Sequence, residues 1–129
     1  MPELADLEID QEKRLLLVLE RDEDAFAPYG TVFGTDEYQL VALYDFREIV
    51  RWARYLRPWA ILMEVAQEGV PVWDALESLK SMRATRDYPV IVCSEAEEGG
   101  QAISMGAVGF VRKPIDVGEM MEIVGRLER

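Results

Sequence analysis

One apolar run constrains this chain more than any other feature: Trp59-Ala60-Ile61-Leu62-Met63-Glu64-Val65, preceded by Pro58, followed soon by Gly69, and carrying one carboxylate near its end. Its shortness and its lack of polar alternation read as a strand covered on both faces, the kind that lies in the middle of a parallel sheet. Open α/β folds gather ligands and chemistry outside the C-terminal ends of such strands. Glu64 is therefore the first candidate functional residue.

The rest of the chain repeats the theme. Leu15 to Leu19 is a buried strand whose end is crowded by Glu20, Asp22, Glu23 and Asp24, with Asp22 placed to cap a following helix. That helix contains Pro28 and Gly30, and an interior proline costs about 3 kcal/mol, so it is expected to be short, kinked or displaced. Tyr38 to Leu43 reads as a second strand. Asp45 then caps a helix with Phe46, Ile49, Val50, Ala53 and Leu56 on one face, and Arg47, Arg51, Arg54 and Arg57 with Trp52 and Tyr55 on the other. The outer face is either simply solvated or a docking surface, since arginine and aromatic residues commonly anchor interfaces.

Beyond Glu64, Pro71 and Asp74 introduce a helix with Val72, Ala75, Leu76 and Leu79 in one stripe. Pro89 to Cys93 is a fourth strand ending at Ser94. Gly99-Gly100 predicts a short, mobile helix through Ala102, Ile103 and Met105. Val108 to Arg112 is a fifth strand running into Lys113-Pro114. Asp116 and Glu119 have the spacing of a capping box, and Met120, Ile123, Val124 and Leu127 form the core face of the last helix. Strands alternating with helices imply a parallel sheet covered by helices on both sides.

A chain of 129 residues suits one domain, here 14–129, with the charge-rich residues 1–13 as a tail or linker. With 14 basic against 25 acidic residues and a formal charge of -11, general attraction to nucleic acid or anionic lipid is not expected, and partners should be proteins. The lone Cys93 excludes an internal disulfide and suits a reducing cytoplasm. No signal peptide and no bilayer-length apolar run is visible.

Four polar side chains, those of Glu20, Glu64, Ser94 and Lys113, fall at strand ends that a doubly wound sheet would gather together. At these positions the chain resembles the receiver domain of two-component response regulators, from about Arg14 to Leu127. Pro58 to Glu64 with Gly69 and Trp73 resembles the phosphoacceptor strand and its loop, and Pro89 to Ser94 resembles the strand ending in the switch hydroxyl. Met105 to Pro114 resembles the last strand with its lysine and its proline, whose peptide bond in the family is usually cis. The resemblance implies a flavodoxin-like, doubly wound five-stranded parallel sheet of order 2-1-3-4-5.

The resemblance also implies a chemistry that this chain departs from. In the family an aspartate at the position of Glu64 attacks a phosphohistidine, and Mg²⁺ held by that aspartate and an acidic pair neutralises the transferring group. Here the pair reads Leu19-Glu20, so one carboxylate has become a hydrocarbon. Glu64 carries an extra methylene that moves its oxygens by roughly an ångström, a displacement that can cost about a hundredfold in rate. Phe110 fills the aromatic switch position without a hydroxyl. The scaffold, Ser94, Lys113 and Pro114 are kept.

The expectation is a degenerate, non-enzymatic receiver that passes signals by protein contact and needs no cofactor. Glu64 would reach Ser94 and Lys113, either standing in for an aspartyl phosphate or forming a purely structural ion pair that avoids an unpaired buried charge. The alternative is a working Mg²⁺-dependent phosphoacceptor using Glu64 or a neighbouring acid, with metal held by Glu20 and Asp22. Nucleotide or flavin binding is not expected, because Glu20-Arg21-Asp22-Glu23 follows the first strand where a glycine-rich phosphate loop would be needed. With no histidine the chain cannot donate a phosphohistidine, and the expected partners are a sensor kinase, a regulator, or another domain of the same longer chain. Ile103, Met105, Val111 and Met121 offer apolar anchors for a homodimer through the last helix face, with the core as the simpler place for Val111.

Overall fold

The computed structural model describes residues 9–19, 33, 34, 36–43, 45–64, 70–95, 97 and 99–128. Five strands, β1 (Arg14–Leu19), β2 (Tyr38–Leu43), β3 (Ala60–Glu64), β4 (Val90–Ser94) and β5 (Gly109–Arg112), form one sheet in the order β2-β1-β3-β4-β5. Every neighbouring pair is parallel. The central strands are buried along their length, which is why their sequences are continuous apolar runs rather than alternations.

Four helices are described: α1 (Ile49–Leu56), α2 (Val70–Ser81), α3 (Gly99–Ser104) and α4 (Val117–Leu127). The expected helix after β1, with Asp22 as its cap, lies outside the described residues. Side-chain alternation along the strands builds two cores. Leu15, Leu17, Ile61, Met63 and Val92 pack with α1, α2 and Ala102 of α3, whereas Leu16, Val18, Leu62, Ile91, Cys93 and Val111 pack with Phe33 and with Met120, Ile123 and Val124 of α4. Truncating one of these leucines to alanine costs about 2–5 kcal/mol, because a close-packed interior does not collapse around the void.

Local chemistry sets the helix ends. Asp45 is extended and its carboxylate accepts from Arg47 N, so the chain enters α1 through a 3-10 turn, Phe46–Glu48, rather than directly as an α-helix. Arg57 closes α1 in the left-handed region, φ 52°, with its N–H donating to Ala53 O at 3.0 Å. Asp116 caps α4 by accepting from Glu119 N at 3.1 Å. Gly109 lets α4 approach the sheet: a Cβ there would lie 2.9 Å from Ile123 Cγ2, so Gly109→Ala forces a backbone or side-chain shift.

Trp52 corrects the helical-wheel reading of α1. It is not on the outer face but buried in the first core, with Tyr55 stacked edge-on against it, ring centroids 5.7 Å apart, and exposed. The wide α1 stripe closes around Phe46, Ile49, Trp52, Ala53 and Leu56, and Val50 is left half-buried at its margin. Gly99-Gly100 likewise opens α3 rather than interrupting it, and the helix is six residues long.

Candidate functional site: the C-terminal end of the sheet

Parallel register brings distant residues to one edge. Leu19 aligns with Leu43 and Met63, Glu64 with Cys93, and Ser94 with Arg112. Lys113 follows directly from β5, and its backbone N–H donates to Ser94 O at 2.8 Å, which locks the ends of β4 and β5 together. The Lys113–Pro114 peptide bond is cis.

Within this edge the Lys113 ammonium meets the Glu64 carboxylate in an ion pair. The Glu64 side chain is 4% exposed and that of Lys113 23%, so the pair sits at the mouth of the sheet with the acid inside and the base towards solvent. Ser94 is buried beside them, and none of the three lacks a partner. Burial removes solvation from the carboxylate, and the ammonium compensates it.

β1 ends at the same edge. Leu19 is fully buried in the first core and offers a cation no lone pair. Glu20 and Asp22 lie outside the described residues. Among the described residues no group of three acidic, cysteine or histidine side chains is arranged to hold a metal ion. Among the described residues at this edge, Leu19 presents a hydrocarbon and the Glu64 carboxylate is compensated by Lys113.

Phe110 is half-buried against the first core, and its ring fills the space that Gly99 leaves, with Cδ1 3.1 Å from where a Cβ would sit. The sequence reading treated Gly99 only as a helix breaker; its pairing with Phe110, eleven residues on, is visible only across the β4–β5 crossover. Arg112 points outward and pairs with Glu97 at 2.7 Å while Nε donates to Glu95 O at 3.3 Å, tying the β4–α3 loop to β5. Val111 is a core residue, Met105 is partly buried against the first core, and Ile103 and Met121 are exposed.

The opposite end of the sheet carries a cluster that the sequence did not reveal. Tyr38 donates its hydroxyl to Glu128, Arg14 pairs with Glu128 at 3.2 Å, and the Arg14 guanidinium lies over the rings of Tyr38 and Trp59 at 5.8 and 5.1 Å. Burial, and then the bond to Glu128, push the Tyr38 hydroxyl from 10.0 up to about 12. No motif marks these four residues; only the parallel register and the return of α4 bring them together.

No family model matches the sequence. Two curated relatives are similar over part of the chain. A protein-glutamate methylesterase/protein-glutamine glutaminase of Methanococcoides burtonii is 29% identical over 86 residues, 63% of this chain and 24% of the relative. A second protein of that name from Paramagnetospirillum magneticum is 28% identical over 104 residues, 77% of this chain and 28% of the relative. The chain thus spans about a quarter of the length of the curated relatives it matches.

Among solved structures, a response regulator from Desulfuromonas acetoxidans superposes with a TM-score of 0.74 at 24% identity, covering 90% of this chain and 96% of that one. A chemotaxis response regulator of Vibrio cholerae gives 0.75 at 14% identity, with 89% and 98% covered. The signal receiver domain of a signal transduction histidine kinase from Syntrophus aciditrophicus gives 0.75 at 22% identity, with 88% and 89% covered. The sheet order, the helices around it and these neighbours define the fold as the flavodoxin-like fold of response-regulator receiver domains. No helix among the described residues is long and apolar enough to cross a membrane.

Proposed function

We propose that this chain is a degenerate receiver domain of two-component signalling, which works by protein contact and is not phosphorylated at the phosphoacceptor position. The observation that carries the reading is the buried Glu64–Lys113 ion pair beside the hydrocarbon of Leu19. Glu64 occupies the phosphoacceptor position with one methylene more than aspartate, and its carboxylate gives Lys113 the negative partner that an aspartyl phosphate would supply. The domain is then held near one switch state without Mg²⁺ and without catalysis of its own. Its partners are a sensor kinase, a regulator or another domain of a longer chain in the cytoplasm. The similarity to parts of longer methylesterases and to a receiver domain of a histidine kinase supports that setting.

The test follows backbone amide resonances of the full chain during titration with Mg²⁺ and acetyl phosphate, or with beryllofluoride. The expected result is no saturable shift at Glu64, Ser94 or Lys113. Saturable, Mg²⁺-dependent shifts there would overturn the proposal in favour of a working phosphoacceptor. Glu64→Gln, which keeps shape and removes charge, is expected to shift Ser94 and Phe110 by releasing Lys113; an unchanged spectrum around those residues would reduce the pair to a structural tie.

A further inference from the structure

The outer side of α1 is basic on an acidic molecule. Four of the chain's 14 basic residues fall between Arg47 and Arg57, although the formal charge of the whole is -11. Asp45 and Glu48 partly offset Arg47 and Arg51 at 3.1 and 3.4 Å, in pairs exposed enough to be worth little. Arg54 and Arg57 make no ion pair among the described residues. Tyr55 is 61% exposed in their midst.

The same side is concave. One hollow of about 450 Å³ lies between α1 and α2, with Phe46, Ile49, Val50 and Ala75 in its lining and Arg47, Asp74 and Ser78 completing it. It shares Arg47 and Val50 with a second hollow of about 610 Å³ bounded by Arg51, Arg54 and Tyr55. Together they form a track along α1 with apolar side chains at one end, an aromatic at the other, and guanidinium groups between. From Arg47 to Tyr55 such a track runs roughly 12 Å at helical rise.

We infer that this track docks an acidic protein segment carrying large apolar anchors. Guanidinium groups in a row match carboxylates by bidentate hydrogen bonding, and the hollow beside Val50 accepts a leucine- or phenylalanine-sized side chain. A nucleic-acid backbone matches the charge but has no side chain for the apolar hollow. The molecule's overall negative charge is screened beyond about 8 Å at physiological salt, so the local arginine field decides what binds at contact. The inference rests on the reading of the chain as a contact domain, but it involves α1 and not Glu64.

The experiment uses the isotope-labelled full chain and a synthetic helical peptide of glutamates with leucine and phenylalanine at i, i+4 spacing. The controls are the same peptide with lysine for glutamate, an acidic peptide with serine at the anchors, and a single-stranded oligonucleotide. Saturable shifts confined to residues 46–57 and 72–78, weakened by salt, are expected with the first peptide alone. Arg51→Glu with Arg54→Glu should weaken binding by about tenfold or more, while the paired lysine substitutions retain part of it. Both positions are exposed, so an unchanged spectrum of the β-strands verifies folding. Absence of saturable shifts, equal binding of the lysine or serine peptide, preference for the oligonucleotide, or concentration-dependent shifts at α1 without any peptide would overturn the inference, the last by assigning the track to a second copy. A phosphodonor response at Glu64 would instead remove the reading of the domain as phosphorylation-independent and leave the α1 result standing.

Discussion

The two ends of the sheet each set a carboxylate against a cation, under opposite solvent conditions. At the C-terminal end the Glu64 side chain is 4% exposed and meets Lys113 beside the buried Ser94. At the N-terminal end Arg14 and Glu128 are 39% and 35% exposed, and Arg14 also rests on the faces of Tyr38 and Trp59. The difference is one of necessity. A desolvated acid needs compensation from inside the fold, whereas a half-exposed guanidinium draws on water, two rings and two acids.

The comparison breaks most sharply at Glu64. Lys113→Met should destabilise the fold by about 3–5 kcal/mol in denaturant titration, because it removes the compensating cation from a buried carboxylate, and combining it with Glu64→Leu should restore much of the loss. Equal loss in the single and double variants would mean that the pair is not what holds this end. At the opposite end Tyr38→Phe should cost less, about 1.5–3 kcal/mol, for one hydrogen bond to a charged acceptor. Arg14→Gln should cost least, about 1 kcal/mol or below, and the cost should shrink with added salt. A larger or salt-independent effect would show that the stacked arginine, not its charge, carries the cluster.

Tyr38 also offers a pH signature. Its hydroxyl is raised from 10.0 to about 12 in the folded chain, so the fold favours the protonated form. The stability it contributes is complete below pH 10 and is lost as pH rises towards about 12. The stability difference between the native chain and Tyr38→Phe should therefore be constant in neutral solution and narrow across that alkaline window. A constant difference through the window would exclude the Glu128 bond.

Much of this was legible in residue order. Continuous apolar runs marked the three inner strands of the sheet, β1, β3 and β4, and the helical stripe beginning at Val72 predicted the residues that α2 buries. Glu64 and Lys113 were both placed at strand ends that a doubly wound sheet gathers, and they pair across the intervening β4. Trp52 was misplaced because a helical wheel assigns faces by angle, whereas burial depends on how wide a stripe the neighbouring sheet and α2 cover. The Gly99-Gly100 pair marked a short helix, but the packing of Gly99 against the Phe110 ring comes from tertiary contact and not from its own helix.

Periodicity and strand-end chemistry, both properties of local sequence, determined the alternation of elements, the central strand and the charged residues at its mouth. Tertiary structure alone decided that Tyr38, Arg14, Trp59 and Glu128 form one cluster and that Arg47, at the entry to α1, borders an apolar hollow shared with α2. The physical reason is that hydrophobic patterning acts over a few residues, while solvent exclusion and charge compensation depend on which surfaces the parallel register and helix packing bring within contact.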